Sequence, residues 1–111
     1  MIAKFVQLGE AIDYTPSVLT PAGTVVILGT LLGITKVDIP AGKLGAIALY
    51  GVYEVAKASG AITAGAALYW DDSNKCVTIT ETDYYFGVAT KDAASGDSVV
   101  LAALNVGHPA A

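Results

Sequence analysis

The stretch IPAGKLGAIALYG, Ile39 to Gly51, is the part of the chain that most resembles reactive machinery. A Gly-Lys pair among further glycines suggests a loop that wraps a phosphate. Such a loop needs glycine, four residues, then Gly-Lys-Ser/Thr, so that backbone N–H groups cradle the anion and a hydroxyl holds magnesium. Here Leu44 follows Gly42-Lys43, and Val37 stands five residues before Gly42, so both requirements are missing. Pro40-Ala41-Gly42 has turn chemistry instead: proline presets one backbone angle and glycine admits a positive φ. Ile47, Leu49 and Tyr50 then continue as an apolar run of strand length.

Other reactive groups are sparse. Nucleophilic catalysis needs a nucleophile, a base and an orienting group. The one histidine, His108, lies four residues from the end beside Pro109. The one cysteine, Cys76, excludes an internal disulfide and a cysteine metal cluster, and reads as a small buried or half-buried strand residue. Asp71-Asp72 are adjacent, so on a strand they point apart and in a turn they are solvated. Asp72-Ser73-Asn74 opens like a calcium loop, but Lys75-Cys76 break the pattern, with no glycine or distant glutamate in register. No catalytic residue, metal ligand or cofactor is expected, and the chain is not expected to be an enzyme.

The elements that carry these residues follow from composition. At 111 residues the chain suits one domain, 1–111, with one core. Six lysines face ten carboxylates and arginine is absent. Arginine is the usual bidentate reader of phosphate and guanine, so no nucleic-acid partner is expected. The charge-free run Tyr14–Thr35 is long enough to cross a bilayer. However, Pro16, Pro21, Gly23, Gly29 and Gly33 divide it into two strands around turns, so no membrane span is expected. No signal peptide is visible, because the apolar stretch after Lys4 is broken by Gly9 and Glu10. Hydrophobic residues make up 54% of the chain and charged ones only 14%. Some apolar area must therefore remain on the surface or be covered by another chain.

Short runs rich in Val, Ile, Thr and Tyr, punctuated by Gly and Pro, predict an all-β sandwich or barrel with little helix. Strands are expected at Ile2–Gln7, Ala11–Tyr14, Thr24–Leu28, Leu32–Val37, Gly45–Tyr50, Val52–Lys57, Ala67–Trp70, Cys76–Thr80, Phe86–Thr90 and Ser98–Leu104. Val25, Ile27, Ile47, Leu49, Val55, Val77, Ile79, Val88, Val99 and Leu101 are expected to face inward. Gly51, between two strand-like runs without a polar turn, suits a bend where the chain changes sheets. Asp71 to Lys75 and Asp92 to Asp97 read as hairpin turns. Pro21-Ala22-Gly23, Pro40-Ala41-Gly42, Thr63-Ala64-Gly65 and Ala94-Ser95-Gly96 repeat one turn chemistry at unequal spacings, which excludes a solenoid.

Four segments follow one another in a recognisable order: PAGTVVILGTLLGI (Pro21–Ile34), KLGAIALYGVYEV (Lys43–Val55), ITAGAALYWD (Ile62–Asp71) and FGVATKDAASGDSVVLAAL (Phe86–Leu104). In that order the chain, over roughly Gly23 to Leu104, resembles the small capsid cement, or head decoration, proteins of tailed bacteriophages. No single segment is specific; their order carries the resemblance. It implies a small jelly-roll-like sandwich without enzymatic activity. It also implies binding to the outside of the major capsid protein shell, on the virion surface, where the protein bridges capsomers against internal DNA pressure.

Contact residues are expected where apolar side chains lack an obvious core role. Tyr69-Trp70 and Tyr84-Tyr85-Phe86 are dense aromatic clusters, and consecutive strand residues face opposite sides, so some members of each are expected outward as interface anchors. The candidates are Ile2, Phe5, Tyr69, Trp70, Tyr84, Tyr85, Val106 and His108. Residues 1–7 read as an N-terminal arm and 105–111 as a C-terminal tail, each able to lie on a partner. A dimer or trimer of the chain is expected. The alternative is a non-enzymatic β-sandwich binding module for sugar or peptide, which would bind its ligand as an isolated chain.

Overall fold

The structure, a computed structural model, describes residues 2–5, 7 and 9–107. Its nine strands are β1 (Ala11–Tyr14), β2 (Val25–Leu28), β3 (Leu31–Thr35), β4 (Gly45–Ala48), β5 (Val52–Ala56), β6 (Ala67–Asp71), β7 (Cys76–Thr78), β8 (Tyr84–Ala89) and β9 (Val99–Leu104). No helix occurs among the described residues, and none is long and apolar enough to cross a membrane. The described part of Ile2–Gln7 carries no strand. Nothing there offers it a ladder, since the chain turns at Gly9 and joins the first sheet only at Glu10, whose carbonyl accepts the Leu49 amide.

The strands form two antiparallel sheets, ordered β1-β4-β3-β2 and β5-β9-β8-β6-β7. Together they make a β-sandwich-like fold. The sheets divide the sequence: the first four strands make one and the last five the other. The chain crosses between them at Gly51, whose φ of 126° suits a residue without a Cβ. The second sheet curls until its edges meet in a parallel bridge between Lys57 and Val77. The buried Lys57 amine donates to the carbonyls of Ala58 and Asp97 at 3.1 Å each, fixing that seam.

One turn device is built twice with the same hydrogen bonds. In the first sheet Thr20 bridges Ile39, the Asp38 carboxylate accepts the Ala22 amide at 2.8 Å, and the Gly23 amide donates to Thr35. In the second, Ile62 bridges Ala93, Asp92 accepts the Ala64 amide at 2.7 Å, and the Gly65 amide donates to Ala89. An aspartate just beyond the far strand thus satisfies the amide that each tight turn would otherwise leave unpaired.

The main core lies between the sheets. Phe86, Leu68, Trp70 and Leu104 from the second sheet meet Leu32 and Ile34 from β3. Ile47, Val55 and Val77 are buried as expected, while Val25, Ile27, Leu49 and Val88 are half-buried. Ile79, Val99 and Leu101 face outward instead. In β9 the inward residues are Val100, Ala102 and Leu104, because β5 pairs Val55 with Val100. Both alternating sets of VVLAAL are apolar, so the sequence does not specify which set faces in. A second, smaller core covers the other face of the first sheet. Ile47 lies over Gly33 and Ile39 over Gly45, and a Cβ on either glycine would meet those side chains at 2.5 or 2.6 Å.

Asn105 ties the sheets together. Its side-chain amide donates to the carbonyls of Leu32 at 2.9 Å and Leu49 at 2.8 Å, while its own backbone, at φ 56°, donates to Phe86.

Candidate interaction surfaces

The polar groups that could do chemistry are occupied in holding turns. The Gly42 amide donates to Pro16 and the Lys43 amide to Pro40, so neither is available to wrap a phosphate. Asp71 accepts from the Ser73 and Asn74 amides and, at 2.8 Å, from the Asn74 side chain. Those bonds, the Asn74 side chain first, hold its carboxyl below the usual carboxylate range. Asp72 accepts from the Lys75 amine at 2.7 Å and the Trp70 indole at 3.1 Å, and both lower its pKa. Together these contacts build the β6–β7 hairpin turn, in which Lys75 takes a positive φ. Cys76 is buried, and burial, with the nearby Asp71 charge, pushes its thiol pKa up and away from reactivity. Among the described residues no three His, Cys, Asp or Glu side chains are grouped to hold a metal.

The aromatic clusters divide differently from expectation. Tyr69 and Trp70 are each only 5% exposed, which removes both from the free surface. Their neighbouring positions do face opposite sides, but both sides are covered. Trp70 lies in the core with its ring 6.4 Å from Phe86, and Tyr69 meets Tyr85 edge-on at 5.6 Å. Tyr84 packs against the core. Tyr85 is half-buried and its hydroxyl donates to the Val106 carbonyl at 2.7 Å. Val106 itself is exposed, as are Ile2 and Phe5, whereas His108 lies outside the described residues.

The structure adds an apolar surface that the sequence did not point to. Val18, Leu19, Val37 and Leu44 are 61% to 72% exposed on the two loops that connect β1 to β2 and β3 to β4. These loops are held in place by the Thr20–Ile39 bridge and the Gly42–Pro16 hydrogen bond. Their signal in the sequence is weak, because each apolar residue sits beside turn residues and joins no alternating run. A second apolar surface is the outer face of β5 and β9, where Val52, Val99 and Leu101 flank Glu54. Large apolar side chains held rigidly outward mark contact surfaces more than packing.

Residues 6–104 match the family described as phage cement protein. No curated protein and no solved structure matches the chain.

Proposed function

The chain belongs to the phage cement protein family, and on that premise we propose that it binds the outer surface of the major capsid protein shell and bridges neighbouring capsomers. Family membership gives it a structural, capsid-associated role in the virion. The finer reading, with the whole chain acting as one non-enzymatic domain, is supported chiefly by the loop surface of Val18, Leu19, Val37 and Leu44. That surface is apolar and held in place by backbone hydrogen bonds, so little conformational freedom is lost on docking. Each contact is modest. Many copies on one shell, joined to one another, convert modest contacts into firm retention. The dimer or trimer belongs to the same proposal.

The test is retention on purified shells. Replacing Leu19 and Leu44 by aspartate is expected to reduce bound copies at least about tenfold while leaving the melting temperature of the free protein unchanged. Ile79→Asp, a similarly exposed apolar site just past β7, serves as the control. Equal retention of the loop variant and the control overturns the assignment of that surface.

A further inference from the structure

We infer that the open edge of β5, with the cleft beside it, receives the N-terminal segment Ile2–Phe5 of a second copy as an added strand. This deepens the self-association in the reading above and rests on it.

The edge follows from the register. β5 bonds to β9 through its odd-numbered residues: the Lys57 amide donates to Ser98, and Leu104 donates to Gly51, with Tyr53 opposite Ala102 and Val55 opposite Val100. In an antiparallel pair the alternate peptide groups point the other way. Those of Val52, Glu54 and Ala56 therefore face the seam towards β7. The seam is closed at Lys57–Val77, where Ala58 donates to Val77 at 2.9 Å. Towards Val52 no described strand covers it. An open edge of this kind is a template for another extended chain.

The cleft gives the added strand a place for a side chain. It encloses about 380 Å³ and is lined by Val25, Tyr53, Val55, Trp70 and Lys75, among others. An apolar cavity of about 150 Å³ already holds a benzene ring. The Tyr53 hydroxyl is held by the Tyr50 carbonyl at 3.0 Å, which fixes that side of the cleft, and burial raises its pKa.

The arm has the matching pattern. In an extended segment Ile2 and Lys4 share one side and Ala3 and Phe5 the other. With Phe5 in the cleft, Lys4 comes beside Glu54 on the outer face, and Ile2 comes beside its apolar neighbour Val52. Neither Lys4 nor Glu54 has an ion-pair partner among the described residues. In the single chain the arm stands clear of the cleft, with Ile2 fully exposed and Phe5 at 77%. The free arm of one copy and the open edge of the next therefore complement each other in hydrogen bonds, shape and charge. Reciprocal exchange closes a symmetric oligomer.

The experiment uses the full chain without shells. Sedimentation equilibrium is expected to show an oligomer for the wild type and mostly monomer for Phe5→Ala. Lys4→Glu is expected to weaken association about three- to tenfold, and adding Glu54→Lys to it restores the wild-type value. Cysteines placed by Lys4→Cys and Glu54→Cys in a Cys76→Ala background are expected to cross-link between chains on oxidation. A monomeric wild type, association indifferent to both arm substitutions, a cross-link confined within one chain, or no cross-link overturns the inference. Shell retention is scored separately. Copies that bind shells but fail these tests break this inference alone, and copies that pass them but do not bind shells break the capsid reading alone.

Discussion

The two sheets carry the same turn device and little else in common. Residues 1–50, which hold the first sheet, have three lysines against three carboxylates. Residues 51–111 have three lysines against seven, which accounts for the whole net charge of −4. The first sheet makes its small core by laying isoleucine over glycine. The second, curled almost to closure, contributes Phe86, Trp70 and Leu68 to the main core between the sheets. The neutral half also presents the most exposed loop leucines and valines. The lesson is a division of charge: the second half carries the net charge, while the first presents its apolar loop surface without long-range repulsion from net charge.

The sharpest way to break this contrast is to add one methyl group to a glycine in each half. A Cβ on Gly87 would fall on the Ala103 carbonyl oxygen, which is backbone and cannot step aside. Gly87 also sits where β8 shifts register against β6, and the irregularity lets Phe86 point into the core. Gly87→Ala is expected to cost about 4 kcal/mol or more and to leave little folded protein. Gly33→Ala meets the Ile47 side chain, from its Cδ1 at 2.5 Å to its Cβ at 3.1 Å, with no backbone atom among these nearest contacts, so repacking limits the loss to about 1–3 kcal/mol. Urea unfolding of both variants measures the difference; equal losses remove the distinction between a rigid and an adaptable half.

The next effect concerns the join. Asn105→Ala leaves the carbonyls of Leu32 and Leu49 without the donor they share. A loss of about 1–3 kcal/mol is expected. Amide exchange should show faster opening in the first sheet than in the second, because only the second is also closed on itself at Lys57–Val77. Uniform opening of both sheets would show that they unfold as one unit.

Acid acts on the β6–β7 turn. Asp71 and Asp72 have carboxyls held below their ordinary range by hydrogen bonds in the folded turn. A depressed folded pKa contributes stability above the unfolded value, and that contribution is lost as pH falls through the folded one. Below about pH 4 the 71–75 turn is therefore expected to exchange its amides faster. Carboxyl titration by NMR, with both midpoints at or above those of free aspartate, would refute this. The smallest expected effect is at Cys76. Its buried thiol, with a raised pKa, should react with a thiol reagent at neutral pH only about as fast as the protein opens, and Cys76→Ala should change shell retention little.

Strand positions were legible because glycine and proline punctuate them and because β-branched runs suit no other local structure. Ala11–Tyr14 matches its expected bounds, and eight more strands fall within one to three residues of theirs. Gly51 was legible as a crossing point because an apolar run without a polar turn has to bend somewhere. The faces were less legible. Ile79 sits just past β7, and Val99 and Leu101 lie on a strand whose two sides are equally apolar, so only pairing decides which side is covered. Tyr69 was misplaced for a related reason: an outward strand position counts as surface until Tyr85 is seen against it.

By itself, the sequence determined an all-β chain with its turns in place, the absence of a phosphate loop, and the order of segments that marks a phage cement protein. These depend on local dihedral preference and on spacing, both written along the chain. Tertiary structure alone decided which half carries the loop surface, where the two sheets are tied at Asn105, and which edge of β5 is left open. Those depend on contacts between residues far apart in sequence, whose pairing is chosen by the shared core and not by any one segment.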